Sequence, residues 1–266
     1  MIFYFSATGN TLWAAKVLAV STSDRLVNIS DALQGDCNFH LSAGERIGFA
    51  FPVHGWRPPI IVRDFIRYRM RILLDTNDTL NDHYTYALCT AGDDIGETMR
   101  LLEDDLATKG LTPQAECSLI MPESYVGLPF MDVDKPEVER QKKLEATKLL
   151  ATFTQIVKER QTDCSHLVLG NWPRINTRLL GGFFLRHLVT DKLFRVDSSR
   201  CVKCGICADV CPVADIVGGL GYEPQWRHND SCLTCFSCYH HCPHHAIEYG
   251  NHTLRKGQYF FNRNKL

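Results

Sequence analysis

The residues best placed for chemistry are eight cysteines in the 42 positions from Cys201 to Cys242. Cys201, Cys204, Cys207 and Cys211 stand at C-x2-C-x2-C-x3-C spacing and are followed by Pro212. Cys232, Cys235, Cys238, Cys242 and Pro243 repeat the run 31 residues later, and Ile216 recurs as Ile247. A fixed offset across six positions marks a duplicated unit. Three closely spaced thiolates in a tight loop can reach three iron corners of one cube, while the fourth, displaced and followed by proline, points elsewhere. That is the spacing of 4Fe–4S ligation. Zinc sites use paired CxxC with longer separations and four ligands each, which two triplets plus two displaced cysteines fit poorly. Disulfide frameworks compensate for a core too small to hold itself. Here the thiols are attached to a long apolar body: 266 residues, 45% of them apolar. The opening MIFYFSATGN has too short an apolar stretch and no basic n-region for a signal peptide. No apolar run reaches about 18 residues, so no membrane insertion is expected. The expected compartment is the reducing cytoplasm, where clustered thiols read first as metal ligands.

The double run resembles the bacterial two-cluster ferredoxins, in which the fourth cysteine of each run ligates the other cluster. The resemblance implies that Cys201, Cys204, Cys207 and Cys242 hold one 4Fe–4S cluster, and that Cys232, Cys235, Cys238 and Cys211 hold the second. Val202, Gly205, Ile206, Leu233 and Phe236 between the ligands suit close approach to the sulfurs and exclusion of water. His240, His241, His244 and His245 read as surface residues or tuning groups, because all eight thiols are already placed. Of the remaining thiols, Cys37, Cys89, Cys117 and Cys164, the middle two sit in apolar runs and read as buried small hydrophobes. None has a nucleophile's setting, and no catalytic residue is assigned.

A second chemistry lies near residue 6. The apolar run Ile2–Phe5 leads directly into Ser6-Ala7-Thr8-Gly9-Asn10-Thr11, and then into a helix-like pattern. Hydroxyls, a glycine and free N–H groups at a helix start form an anion site. With no Lys or Arg in the loop, neutral donors suit an enclosed monophosphate. The sequence fits neither the GxxxxGK[ST] nor the GxGxxG loop. FYFSATGNTLWAA resembles the FMN phosphate loop of flavodoxins, which implies phosphate contacts from Ser6, Thr8, Gly9, Asn10 and Thr11. Two further loops stand where that family embraces the isoalloxazine: Pro52-Val53-His54-Gly55-Trp56, and Thr90-Ala91-Gly92-Asp93-Asp94. The resemblance makes Trp56 the natural stacking partner, with backbone near Gly55 and Gly92 at the ring edge and His54 a possible donor. The 90–94 loop lacks the aromatic that many flavodoxins carry there. The second ring face is covered by Tyr125 or by the ferredoxin module, or is left open.

These residues need elements to position them. Strand-like runs at Ile2–Phe5, Leu26–Ile29, Arg46–Val53, Tyr84–Thr90 and Ala115–Met121 alternate with helical patterns at Thr11–Val20, Ile60–Leu74, Gly96–Lys109 and Pro136–Arg160. Such alternation predicts an α/β parallel sheet covered on both faces. The resemblance sharpens this to a flavodoxin-like, doubly wound five-stranded sheet of order 2-1-3-4-5, with FMN at the switch point. A small α+β bacterial-ferredoxin-like domain follows. The expected organisation is an FMN-binding domain at 1–163, a basic connector at 164–195, a two-cluster domain at 196–250 and a basic C-terminal tail at 251–266. The near-neutral total charge of −1 conceals net −6 over 1–170, +4 over 171–195, −3 over 196–250 and +4 over 251–266. One reading of the basic segments is solvated charge, and another is that they hold the acidic modules together. The helix IIVRDFIRYRMRI, with Arg63, Arg67, Arg69 and Arg71, reads as a solvated face or a docking face for an acidic partner. Charge balance speaks against a nucleic-acid binder.

The chain resembles a family of flavodoxin–ferredoxin fusions found mainly in anaerobic microbes. The shared arrangement spans about 1–163 and 196–250, and MPESYVGLPFMDVDKPEVERQKKLEA is similar to the family's segment after the fifth strand. The resemblance implies an electron-transfer protein with two 4Fe–4S clusters and FMN. It would relay low-potential electrons between redox partner proteins, with donor, acceptor and oligomeric state open. The alternative is a flavin-dependent reductase of a small molecule, fed by the clusters, with His54 or Tyr125 as proton donors. No separate nicotinamide-binding fingerprint is present.

Overall fold

The computed structural model describes residues 1–75 and 78–263, so the last three residues of the basic tail, 264–266, lie outside the described residues. The apolar runs pair as parallel strands: β1 (Ile2–Tyr4), β2 (Leu26–Asn28), β3 (Ile47–Pro52), β4 (Thr85–Ala91) and β5 (Ala115–Ile120). A sixth strand, β6 (Cys164–His166), lies beyond β5, and the sheet order is β2-β1-β3-β4-β5-β6. The register aligns Phe3 with Val27 and Phe49, and Leu88 with Ala50 and Cys117. This is the flavodoxin-like doubly wound order with one added edge strand, and β1 carries the chain to the switch point. Helices α1 (Asn10–Thr22), α2 (Ile60–Asp64), α3 (Thr98–Ala107) and α4 (Pro136–Glu159) alternate with the strands. Phe3 centres the core on one side. Its ring lies 4.8 Å from Phe39, 5.5 Å from Phe49 and 5.4 Å from Phe65.

The expected helix over Ile60–Leu74 is broken. After α2 the chain makes a π-helical turn at Phe65–Arg69, and Arg71–Leu73 then pairs with Asn38–His40 in a separate parallel ladder. Two of its arginines are also spent. Asp105 is fully buried, and Arg63 Nε donates to it at 2.6 Å while Arg67 closes on its other oxygen. Arg63 and Arg67 are therefore tied into an ion cluster on Asp105.

The chain divides into two compact units. The first comprises 1–6, 11–121 and 141–182, and the second comprises 7–10, 122–140 and 183–266. These units depart from the expected boundaries in three places. Residues 164–182 join the first unit, because Cys164 and His166 pair with Ala115 and Cys117. Residues 122–140 join the second, where Val126 is fully buried beside Phe194 and Phe236. The phosphate-loop residues 7–10 also belong to the second unit. Its strands are β7 (Phe194–Val196), β8 (Ile216–Gly219), β9 (Tyr222–Trp226) and β10 (Ile247–Tyr249), with β7 antiparallel to β10 and β8 antiparallel to β9. Two short helices, α5 (Ile206–Asp209) and α6 (Ser237–His240), stand at the same 31-residue offset as the cysteines. Phe194, Phe236, Tyr239, Ile247 and Tyr249 form the core. Among the described residues no helix is long and apolar enough to cross a membrane.

Candidate functional site

Each repeat folds into a thiol loop followed by one helical turn. Left-handed residues repeat along with the cysteines: Lys203 with Thr234, Gly205 with Phe236, and Ala214 with His245. These bends bring the three thiols of each loop round one side of a cavity. The fourth comes from the other repeat. Cys201, Cys204, Cys207 and Cys242 line one cavity of about 350 Å³. Cys211, Cys232, Cys235 and Cys238 line another of about 300 Å³. All twelve cysteines are free thiols. Among the described residues, no group of three or more His, Cys, Asp or Glu side chains is gathered for a single metal ion. The thiols surround a volume, which suits a cube of iron and sulfide better than one zinc.

The surroundings favour bound iron. Backbone N–H groups donate to sulfur at matching places: Asp215 to Cys211 Sγ at 3.3 Å and Ala246 to Cys242 Sγ at 3.2 Å, with Thr234 to Cys232 Sγ at 3.4 Å. Such bonds stabilise negative charge on thiolate and cluster sulfur. Burial opposes that charge, pushing Cys207 up to about 11 and Cys235 up to about 12. Iron supplies the positive charge that makes these thiolates tolerable. The two cavities differ at their rims. Val202, Lys203, Tyr222 and His244 of the first are exposed, whereas no residue lining the second is. His240 is not a surface residue: it is 1% exposed, and burial holds its imidazole neutral, down to about 3. His241 stacks on Phe260 at 4.4 Å.

The anion loop is held tightly. In the second unit, Thr8 Oγ1 donates to Ser124 Oγ at 3.4 Å, and Asn10 Nδ2 donates to Pro122 O at 3.2 Å. Gly9 has φ +93°, where a side chain would be strained. Among the described residues, no protein acceptor takes the N–H groups of Ala7, Thr8, Gly9 or Asn10. In the first unit, Ser6 Oγ accepts from Leu12 N at 3.2 Å, and the Thr11 and Thr90 hydroxyls pair at 2.8 Å. Unspent amides beside hydroxyls fit a phosphate monoester.

Of the two expected ring loops, Pro52–Trp56 closes on itself, with His54 N donating to Arg57 O at 2.9 Å and Arg57 N donating back at 3.2 Å. Val53 N donates to Thr90 O at 2.8 Å, which joins this loop to the end of β4. Burial pushes His54 down to about 4, so its imidazole is neutral. Trp56 is half-buried with φ +58°. Burial and the neighbouring Asp93 raise Asp94. Ala91 is buried, Gly92 half-buried and Asp93 exposed. Among the described residues, the N–H groups of Gly55, Trp56, Gly92 and Asp93 have no protein acceptor, so they fit the polar edge of a flavin ring. Tyr125 belongs to the second unit, where its ring meets Phe184 at 5.2 Å and Phe236 at 5.3 Å.

Thr177 escaped the sequence reading. It is fully buried, donates from Oγ1 to Trp56 O at 3.1 Å and accepts from Glu97 N at 2.8 Å. Arg57 Nε donates to Thr177 O at 2.8 Å. A Cβ at Gly181 would stand 2.3 Å from Gly55 O. The first part of the expected connector thus braces the Pro52–Trp56 loop and Glu97, three residues past the second ring loop. Arg174 and Arg178 in it pair with Glu97 of the same unit, at 3.8 and 2.9 Å. No signal in the sequence separates Thr177 from any other polar residue of a loop.

Residues 193–243 match the family model of a 4Fe-4S dicluster domain, which takes in all eight clustered cysteines. The second unit therefore contains such a domain. No curated protein matches the chain. Among solved structures, it is similar to a putative flavoprotein from Bacteroides uniformis, at 18% identity over 45% of this chain and 88% of that one, with a TM-score of 0.31. It is similar to a flavodoxin from Streptococcus pneumoniae TIGR4, at 17% identity over 57% and 97%, TM-score 0.29. An azoreductase from Bacillus anthracis gives 7% identity over 59% and 98%, TM-score 0.39. Likenesses this distant carry no functional weight. The fold class stands on the strand order, and the cluster chemistry on the cysteines and the family match.

Proposed function

We propose that this chain is an electron carrier holding two 4Fe–4S clusters and one FMN, serving redox partner proteins. The observation that carries the reading is the crossing of the two thiol sets, each closing one cavity. Cys201, Cys204, Cys207 and Cys242 would hold the first cluster, and Cys211, Cys232, Cys235 and Cys238 the second. Ser6, Thr8, Gly9, Asn10 and Thr11 would hold the FMN phosphate. Pro52–Trp56 and Thr90–Asp93 would border its ring. A cluster exchanges one electron and FMN one or two, so one chain supplies both kinds of step at high effective concentration.

The chain's own residues bind, orient and shield. N–H groups directed at Cys211, Cys232 and Cys242 set the charge the sulfurs carry. Phe194, Leu233 and Phe236 exclude water from the second cavity. The exposed rim of the first makes it the end open to an external partner.

Anaerobic reconstitution with iron, sulfide and FMN tests the reading. About eight irons and one FMN per chain are expected, with two cluster signals and one flavin in a potentiometric titration followed by EPR and absorbance. Zinc in place of iron, or no retained flavin, overturns it.

A further inference from the structure

The loop Ala7–Asn10 owes its shape to residues of the dicluster unit. Ser237 Oγ donates to Ala7 O at 3.0 Å, and Phe261 N donates to Thr8 O at 2.8 Å. In a trans peptide the C=O of one residue and the N–H of the next point in opposite directions. Each tie therefore turns the following N–H, that of Thr8 or Gly9, away from the group that holds the carbonyl. Tyr259 OH donates to Asn10 Oδ1 at 2.6 Å. A Cβ on Gly9 would stand 3.0 Å from Phe261 Cβ, so Phe261 lies directly against the loop.

The same stretches of chain are bonded to the backbone that carries the cluster cysteines. Ser237 begins α6, between Cys235 and Cys238. Tyr259 N donates to His240 Nδ1 at 3.1 Å, and His240 Nε2 donates to Ser124 O at 2.6 Å. Gln258 Nε2 donates to Tyr239 O at 2.6 Å and Cys242 O at 2.8 Å. One hydrogen-bonded body thus carries ligand cysteines on one side and the anion loop on the other.

Resting on the FMN assignment above, we propose that Ser237, Tyr259 and Phe261 are positioning residues for the FMN phosphate, and that flavin binding and cluster retention are linked through them. Held carbonyls leave the loop presenting donors. Released carbonyls are free to turn inward and meet the phosphate with like charge. Linkage is reciprocal, so FMN tightens equilibrium retention of the clusters to the extent that the clusters favour FMN. Riboflavin, which lacks the phosphate, is indifferent to the loop.

The test uses full-length protein with both clusters, stripped of flavin and titrated with FMN and with riboflavin by flavin fluorescence. Wild type is expected to prefer FMN. In Ser237→Ala and Tyr259→Phe the FMN Kd should rise about tenfold at unchanged iron content, with riboflavin binding within about twofold of wild type. Tyr259→Phe is remote from the thiols, and it decides the matter if Ser237→Ala loses iron. Added FMN should also raise the iron that stays bound at equilibrium with a fixed chelator concentration in wild type, and less so in Tyr259→Phe. A wild-type preference for FMN retained in full by Tyr259→Phe overturns the linkage and leaves the FMN assignment standing. Wild type that does not distinguish FMN from riboflavin overturns both.

Discussion

Gly205 and Phe236 occupy equivalent places in the two repeats, and both hold left-handed backbone, at φ +82° and +58°. The side-chain space differs. A Cβ at Gly205 would stand 2.8 Å from Leu220 N and 2.9 Å from Gly219 C. Phe236 is 1% exposed and packs against Phe194, Tyr249 and Tyr125 at 5.1 to 5.3 Å. The duplicated backbone therefore carries glycine where a turn presses on it and an aromatic where it faces the core. Gly205→Ala should cost about 2 kcal/mol and release iron from the first cavity before the second. Thermal unfolding under anaerobic conditions together with iron analysis checks this. A variant with wild-type midpoint and iron content would show that the turn yields.

Crossed ligation makes Cys242 a partner of Cys201 and Cys211 a partner of Cys232. Cys242→Ser and Cys201→Ser should disturb the same cluster signal in EPR, and Cys211→Ser and Cys232→Ser the other. If Cys242→Ser and Cys232→Ser proved to share a signal, each run would hold its own cluster.

The unequal rims predict unequal lability. The cluster bordered by exposed Val202, Tyr222 and His244 should bleach first in air or with a chelator, leaving the one enclosed by Phe194, Leu233 and Phe236. Timed EPR samples follow the two signals separately. Simultaneous loss would be the contrary result.

Glu116 on β5 is 8% exposed, and its Oε1 has no partner among the described residues. Burial, then the nearby Glu103 carboxylate, pushes it up to about 7. The folded chain keeps this proton where the unfolded chain, near its ordinary value of 4.5, has released it. Stability therefore falls as pH rises from about 4.5 through about 7. Glu116→Gln should gain about 2 kcal/mol at pH 8 and much less at pH 5.5, read from unfolding midpoints at the two pH values. Equal gains at both would mean that the carboxyl titrates normally.

Much of this molecule was legible because its signals are local. The apolar strand runs fall within a residue or two of β1 to β5, and the two sets of thiols that line the cavities are the ones the resemblance to two-cluster ferredoxins implies. What escaped depends on distant partners. Cys164–His166 is three residues long, with Ser165 and His166 exposed, so β6 shows no apolar run. Apolar spacing continues through Phe65–Arg69, yet the turn there is π-helical and the chain leaves it as a strand. Thr177 works through one hydroxyl and one carbonyl, which any threonine possesses. Basic composition around 251–266 hid Tyr259 and Phe261, whose importance lies in what they touch.

The bond from Tyr259 to Asn10 joins residues 249 positions apart. During synthesis the loop after β1 emerges early and waits for nearly the whole chain before its partners exist. Expressing residues 193–243 alone would leave out Ala7–Asn10, Val126 and Tyr259 together. The dicluster segment is contiguous in sequence, but the body that houses it is assembled from three separate pieces, the first of them more than a hundred residues ahead of the next.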